Sequence, residues 1–176
     1  MGLFLKDINL KGKTALITGA TKGLGRGAAI AMAQAGGNIV AVGRNQFELN
    51  SLEKIIKKLK VKYKSINCDV NDYKKMKSYI SNLKSLDILV NNAGTNIPEP
   101  FLKVKKSSME TILNVNTKAV FNIAQLCANQ IIKLKKKNGS IINISSIFGI
   151  VAGQKRVVYS MTKFGVEGLT KGMAVD

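Results

Sequence analysis

The hydrophobic positions of this 176-residue chain alternate between two patterns. Short apolar runs, typical of buried strands, are separated by longer segments whose apolar residues recur at helical spacing. The runs predict strands at residues 13–18, 38–43, 63–69, 86–90 and 140–145. The longer segments predict helices at residues 26–35, 46–60, 72–83, 107–135 and from 157 onwards to the last residue.

This alternation of strands and helices predicts a parallel sheet with right-handed crossover connections. We therefore expect an α/β fold with a doubly wound parallel sheet of the Rossmann type, arranged as three α/β/α layers. The length, with neither an internal repeat nor a linker, indicates a single domain over residues 1–176. Ligands of such folds bind at the carboxyl ends of the strands, near the point where the strand order reverses.

Composition narrows the chemistry that is available. The chain has no histidine, which excludes Ser-His-Asp hydrolysis and histidine-based zinc sites. Its two cysteines, Cys68 and Cys127, lie far apart in apolar stretches, so we expect buried free thiols and no metal site.

The net charge of +18 raises the question of a nucleic-acid partner. Nearly all of the excess is lysine on the polar faces of predicted helices, and the only arginines are Arg26, Arg44 and Arg156. The interleaved aromatic residues and arginines that base stacking needs are missing, so we expect no nucleic-acid partner.

The N-terminal residues 1–7 have no long apolar core, so we expect no signal peptide, and Lys6 stands where a myristoylation signal requires Ser or Thr. No apolar run is long enough to span a bilayer. We therefore expect a cytoplasmic protein without a membrane partner.

A glycine-rich turn with Gly19, Gly23 and Gly25 follows the first predicted strand. Glycine permits a positive φ and a close approach of the backbone to a ligand. The N-terminus of the next helix offers free N–H groups to a pyrophosphate. Tight strand–helix packing would also explain the glycines, but their place directly after the first strand favours dinucleotide binding.

The second strand ends in Val42-Gly43-Arg44-Asn45, without the carboxylate that usually binds a free ribose 2′-hydroxyl. The planar guanidinium of Arg44 suits a 2′-phosphate, and Lys22 adds positive charge nearby. We infer NADP(H) in preference to NAD(H). The alternative is that Arg44 is solvated and Lys22 belongs to the general lysine excess.

A possible proton-transfer group follows the fifth strand. Ser146 lies at its carboxyl end, and Tyr159 and Lys163 share one face of the last helix because they are four residues apart. A phenol beside a cation is a tunable acid, since positive charge lowers the pKa of a nearby tyrosine. Asn116 lies in the middle of a predicted helix, where a short side-chain amide mildly disfavours the helical conformation. It either satisfies a local backbone group, holds water or bends the helix near the active centre.

Taken together, these motifs resemble the short-chain dehydrogenase/reductase family over essentially the whole chain. The residues that carry the resemblance are Thr18-Gly19-x-x-x-Gly23-x-Gly25, Asp69-Val70, Asn91-Asn92-Ala93-Gly94, Asn116, Ser146 and Tyr159-x-x-x-Lys163. Each motif is weak by itself, but their conjunction in the family's order is specific. Members of the family usually continue past the last helix, so we expect the chain to be incomplete at its C-terminus.

The resemblance implies a catalytic role for Tyr159 as general acid in reduction and general base in oxidation. It implies that Ser146 binds the substrate oxygen, that Lys163 lowers the pKa of the tyrosine and holds the nicotinamide ribose, and that Asn116 supports a water-linked proton relay. The implied cofactor contacts, besides Tyr159 and Lys163 themselves, are Gly19, Thr21, Lys22, Gly23, Leu24, Gly25, Arg44, Asp69, Val70, Asn92, Ala93 and Gly94.

The implied function is an NADP-preferring oxidoreductase that interconverts a small-molecule ketone and a secondary alcohol. Residues 95–101 look more like those of members acting on sugar acids or polyols, and 3-oxoacyl-acyl-carrier-protein reductases are the alternative. An alternative of another class is a non-catalytic NADP-binding fragment. Residues expected to face the substrate are Asn96, Phe148, Gln154 and Val157. The helices predicted near 107–135 and 157–176 commonly pair between subunits of family members, which implies a homo-oligomer, either a dimer or a tetramer.

Overall fold

The computed structural model describes residues 8–136 and 138–176, and their strands form an open parallel sheet. The strands are β1 Thr14–Thr18, β2 Asn38–Gly43, β3 Tyr63–Asn67, β4 Ile88–Asn91 and β5 Ser140–Asn143. Their order is β3-β2-β1-β4-β5, and every neighbouring pair is parallel. The order reverses between β1 and β4, so the expected doubly wound fold is confirmed and a crevice opens where these two strands end.

Helices cover both faces of the sheet. They are α1 Gly23–Gln34, α2 Gln46–Lys57, α3 Tyr73–Ser81, α4 Lys106–Leu113, α5 Ala119–Lys133 and α6 Val157–Val175. Two of the helices have the polar N-cap that starts a helix well: the side chains of Asn45 and Asp72 accept hydrogen bonds from the N–H groups of Glu48 and Lys75.

The core is divided by the sheet, because successive side chains of a strand point to opposite faces. Ile17 packs in the cluster that contains α1 and α2, whereas its neighbour Leu16 packs in the cluster that contains α3 and α5. Cys68 and Cys127 are both buried free thiols, as expected. Burial raises the pKa of Cys127 to about 12 and also raises the pKa of Cys68.

Two differences between the predicted and the observed helices concern residues near the crevice. The first helix begins at Gly23 rather than at residue 26, so the last glycines of the predicted turn lie within the first turn of α1. The long helix predicted over residues 107–135 is not regular: a π-helical turn, Asn114–Lys118, separates α4 from α5. Gly25 and Asn116, which lie at these two places, both pack closely against loops at the strand ends.

Short 3-10 turns at Phe101–Lys103 and Ile147–Gly149 complete the described structure. Within the described part of the chain, no helix has both the length and the apolar character that crossing a bilayer requires. Residues 1–7, on which the expectations about a signal peptide and myristoylation rest, lie outside the described residues.

Candidate active site

The crevice between β1 and β4 is closed at its base by hydrogen bonds between two loops. Thr18 Oγ1 accepts the backbone N–H groups of Asn92 and Ala93, each at 3.0 Å. In return, Asn92 Nδ2 donates to the carbonyl oxygens of Thr18 at 3.0 Å and Gly19 at 3.2 Å. The loop after β4 is therefore fastened to the glycine turn after β1.

Close packing against Asn92 requires two of the three glycines in this turn. Gly19 has a φ of +63°, and a Cβ there would lie 2.9 Å from Asn92 Nδ2 and 3.0 Å from Ala93 Cα. A Cβ at Gly25 would overlap both Asn92 Nδ2 and the Gly19 carbonyl oxygen. At Gly23 a Cβ would meet nothing within 4 Å, and glycine is favoured there by a φ of +54°.

The N-terminus of α1 opens beside this turn without a side-chain cap. Its N-cap residue, Lys22, makes no capping hydrogen bond, and the first turn of the helix has no acidic residue. The free N–H groups and the positive end of the helix dipole therefore suit an anionic group such as a pyrophosphate.

A cleft of ≈ 490 Å³ extends from α1 across the ends of β1, β2 and β4. This volume is in the range of small-molecule sites. Every predicted cofactor-binding residue lines the cleft except Gly25, Tyr159 and Lys163. Five residues outside the predicted set of cofactor contacts also line the cleft, namely Gly43, Cys68, Thr95, Thr111 and Val115.

Arg44 lies at the β2 end of this cleft with 80% of its side chain exposed. Its Nη1 atom is 3.4 Å from Asp69 Oδ2, a pair that solvent screens strongly. No other hydrogen bond of the guanidinium is found among the described residues. The fork of Arg44 is therefore accessible to an anionic ligand.

Lys163 is buried at the other side of the crevice, with 5% exposure. Its Nζ donates a hydrogen bond of 2.6 Å to the carbonyl oxygen of Ile144, just beyond β5, and lies 5.7 Å from the centre of the Tyr159 ring. Desolvation by burial lowers the pKa of this ammonium group. A Cβ at Gly94 would lie 3.9 Å from Lys163 Nζ, so the lysine adjoins the loop that lines the cleft.

Asn116 is fully buried in the π-helical turn. Its Oδ1 accepts the backbone N–H of Thr95 at 2.8 Å, and its Nδ2 donates to the Thr95 carbonyl oxygen at 2.9 Å. Nδ2 also contacts Thr162 Oγ1 at 3.2 Å. Asn116 thus satisfies backbone groups of a distant loop rather than of its own helix, and its side chain joins the cleft to α6.

Ser146 and Ser145 occupy different environments at the end of β5. Ser145 Oγ donates to the Lys163 carbonyl oxygen at 3.4 Å, so this hydroxyl packs against α6. Ser146 Oγ accepts the Phe148 N–H at 3.2 Å. Among the described residues its own hydroxyl proton has no acceptor, which leaves it available for a substrate oxygen. This difference favours Ser146 over Ser145 as a substrate ligand.

The structure links the cofactor cleft to Asn116 and Lys163 through direct contacts. The glycine turn and the loop after β4 are directly hydrogen-bonded, and Asn116 and Lys163 adjoin that loop at Gly94. Sequence reasoning missed the contributions of Thr95, Thr162 and the Ile144 carbonyl, because each acts through a tertiary contact. Within residues 8–136 and 138–176, no three potential metal ligands of the His, Cys, Asp or Glu types cluster together.

Known proteins are similar to this chain over nearly its whole length. The family model described as short chain dehydrogenase matches residues 13–176. L-xylulose reductase of Mus musculus is 35% identical over 170 residues, which cover 97% of this chain and 68% of that protein. The 3-oxoacyl-acyl-carrier-protein reductase of Thermotoga maritima is 34% identical over 173 residues, covering 96% of this chain and 70% of that protein.

Solved structures share the architecture and carry either cofactor. A protein from Agrobacterium tumefaciens, named as a 2-deoxy-D-gluconate 3-dehydrogenase with bound NADP, has a TM-score of 0.88 at 31% identity. The match covers 96% of this chain and 67% of that one. Carveol dehydrogenase from Mycobacterium avium in complex with NAD has a TM-score of 0.88 at 27% identity, covering 95% of this chain and 66% of that one.

Proposed function

Since the chain belongs to the short-chain dehydrogenase/reductase family, we propose that it interconverts a ketone and a secondary alcohol by hydride transfer, using NADP(H). The observation that carries the proposal is the placement of Lys163. A buried ammonium lies beside the Tyr159 ring and next to Gly94, at the edge of a cleft that suits a dinucleotide. A proton-transfer group therefore adjoins a cofactor-sized site.

When bound, the nicotinamide supplies or accepts the hydride. The chain supplies the proton and the oxygen ligand. In reduction, the Tyr159 phenol gives its proton to the substrate oxygen while the Ser146 hydroxyl donates a hydrogen bond to the same oxygen. The Lys163 ammonium stabilises the negative charge left on the phenol, since it lies 5.7 Å from the ring centre. In oxidation, the phenolate takes the proton back.

The preference for NADP(H) rests on Arg44. The end of β2 has no carboxylate for a ribose 2′-hydroxyl, and the exposed guanidinium is only weakly paired with Asp69. A 2′-phosphate would accept charge-assisted hydrogen bonds from this fork. Because NADH has no 2′-phosphate, it cannot make these bonds, and we expect the chain to bind NADPH more tightly.

The test is a titration of the purified chain with NADPH and with NADH, in which the fluorescence of the reduced nicotinamide reports binding. We expect tighter binding of NADPH, and the Arg44→Asp variant should bind it about 10–100-fold more weakly, with little change for NADH. Lys54→Asp, an exposed position on α2, introduces the same change in charge and should leave both affinities near wild type. Tighter binding of NADH by the wild-type chain would overturn the preference.

For the substrate we propose a sugar acid or polyol, with a 3-oxoacyl thioester as the alternative. The support is the similarity to an L-xylulose reductase, at 35% identity, and to a protein named as a 2-deoxy-D-gluconate 3-dehydrogenase, at 31% identity. The experiment compares oxidation of NADPH in the presence of L-xylulose, 5-ketogluconate and an acetoacetyl thioester. Tyr159→Phe should abolish turnover while retaining NADPH binding. A chain that binds NADPH but reduces none of these compounds would favour the non-catalytic alternative.

We also propose that the chain forms a homo-oligomer through α5 and α6. An apolar cleft of ≈ 500 Å³, lined by Phe121 and Leu169 among others, lies between these helices. Phe121 on α5 and Phe164 on α6 are each 49% exposed. Such a surface fits a second copy of the same helices. The double variant Phe121→Asp, Phe164→Asp should sediment as a monomer. Phe47→Asp, on α2 where the side chain is 78% exposed, serves as the control and should not change the wild-type mass.

A further inference from the structure

Phe148 contacts both side chains that the proposed reaction brings to the substrate oxygen. Its backbone N–H donates to Ser146 Oγ at 3.2 Å. Its ring meets the Tyr159 ring edge to face, with the centroids 6.2 Å apart and an interplanar angle of 80°. Edge-to-face contact is a preferred geometry of aromatic pairs and is stabilising beyond the buried area alone.

The Phe148 ring also packs closely against Gly153. A Cβ at position 153 would overlap Phe148 Cε1 and would lie 2.9 Å from Cζ and 3.2 Å from Cδ1. Glycine is therefore needed for the ring to occupy its place. The carbonyl oxygen of Gly153 also accepts the N–H of Arg156 at 3.2 Å, immediately before α6 begins. The segment that confines the ring thus leads directly into the helix that carries Tyr159.

Two donors act on one oxygen only if their separation is set. Ser146 lies in the turn after β5, whereas Tyr159 lies on α6, so no single element of secondary structure fixes the pair. Phe148 is hydrogen-bonded to Ser146 through its backbone N–H, and its ring packs against the ring of Tyr159. Its hydrogen bond to Ser146 Oγ also fills an acceptor position of that hydroxyl and leaves its proton for the substrate.

We propose that Phe148 is a positioning residue that sets the Ser146 hydroxyl against the Tyr159 phenol, with Gly153 providing the space that its ring requires. The inference rests on the proposed function. Misplacing catalytic groups by about 1 Å can cost on the order of 100-fold in rate. We therefore expect Phe148→Ala to lower kcat about 10–100-fold and to leave NADPH affinity unchanged, since Phe148 does not line the cofactor cleft.

The first measurement is near-ultraviolet circular dichroism, which does not require turnover. The chain has no tryptophan, so the difference between wild type and Tyr159→Phe isolates the signal of Tyr159. Both Phe148→Ala and Gly153→Ala should remove that signal, whereas Phe47→Ala on the exposed face of α2 should retain it. Far-ultraviolet spectra and NADPH titrations of the same variants establish that the fold is intact.

The second measurement is the kinetics with whichever of L-xylulose, 5-ketogluconate or an acetoacetyl thioester the wild-type chain reduces. Phe148→Tyr, which keeps the ring, should restore kcat relative to Phe148→Ala. An active wild type whose Phe148→Ala variant keeps both its kcat and the Tyr159 signal would overturn the inference and leave the proposed function standing. If the wild type reduces none of these compounds, the proposed function fails, and the circular dichroism alone decides whether Phe148 orders Tyr159.

Discussion

Asn116 and Thr95 form a closed pair of hydrogen bonds, in which the side-chain amide of one binds both backbone polar groups of the other, at 2.8 and 2.9 Å. The side-chain amide provides the Thr95 backbone with the acceptor and the donor that a neighbouring strand provides within a sheet. Because Asn116 lies in the π-helical turn between α4 and α5, the irregular helix and the loop after β4 support each other. Irregular turns of this kind are frequent at functional sites.

Replacing Asn116 with alanine should lower the free energy of unfolding by about 2–4 kcal/mol, because it removes three hydrogen bonds from the partly buried Thr95 backbone and the buried Thr162 hydroxyl. Urea denaturation followed by circular dichroism measures this loss. Asn114→Ala removes an amide from the same π-helical turn, but no side-chain hydrogen bond of Asn114 is found among the described residues, so it should cost far less. Equal losses in the two variants would contradict the role assigned to Asn116.

Gly25 and Gly27 of α1 should respond to alanine in opposite directions. Gly25→Ala places a methyl group against Asn92 and the Gly19 carbonyl and should destabilise the fold by about 1–3 kcal/mol. Gly27→Ala meets nothing within 4 Å and should stabilise the helix by about 0.5–1 kcal/mol. Thermal denaturation of the two variants beside wild type tests both signs, and a stabilising Gly25→Ala would disprove the packing argument.

Lys163 should give stability a distinct dependence on pH. Burial lowers its pKa in the folded chain. Between that lowered pKa and the ordinary value near ~10.4, the unfolded chain binds a proton that the folded chain does not, so this group makes stability rise with pH. Below the lowered pKa the folded chain carries the full penalty of a buried charge.

The Lys163→Met variant should lose this rise, which urea titrations at a series of alkaline pH values would reveal as a difference from wild type. Other alkaline groups, including the two buried thiols, are common to both proteins and cancel in that difference. Lys171→Met, at an exposed position of α6, is the matched control and should follow the wild-type curve. A Lys163→Met curve parallel to wild type would show that the ammonium is not desolvated.

Asp87 should be a major source of stability on the side of the sheet away from the crevice. Its carboxylate is 2% exposed, accepts the Thr14 N–H at 2.9 Å and pairs with Lys136 Nζ at 3.2 Å and Lys13 Nζ at 3.9 Å. Asp87→Ala leaves a buried N–H and a half-buried cation without their partner and should cost about 3 kcal/mol. Glu110→Ala, at an exposed position of α4, should lie close to zero in the same denaturation assay.

Local pattern alone was sufficient for the alternation of strands and helices and for the shared face of Tyr159 and Lys163. Each depends on residues that are close together in the sequence, where periodicity acts directly. The same is true of the buried first strand and of the absence of a carboxylate at the end of β2, from which the cofactor preference was inferred.

Contacts between distant segments decided the rest. The reason for glycine at position 25 is Asn92, the partner of Asn116 is Thr95, and the acceptor of Lys163 is a carbonyl beyond β5. No local spacing encodes these pairs, because the sheet order alone brings them together. The sequence motifs therefore named candidate groups at the strand ends, several of which line one cleft. Their hydrogen bonds and the π-helical turn depend on packing between elements that are distant in the sequence and become neighbours only in the folded chain. The contact of Phe148 with Gly153 is nearer in the sequence, but it depends on the conformation of the connection between β5 and α6, which periodicity does not predict.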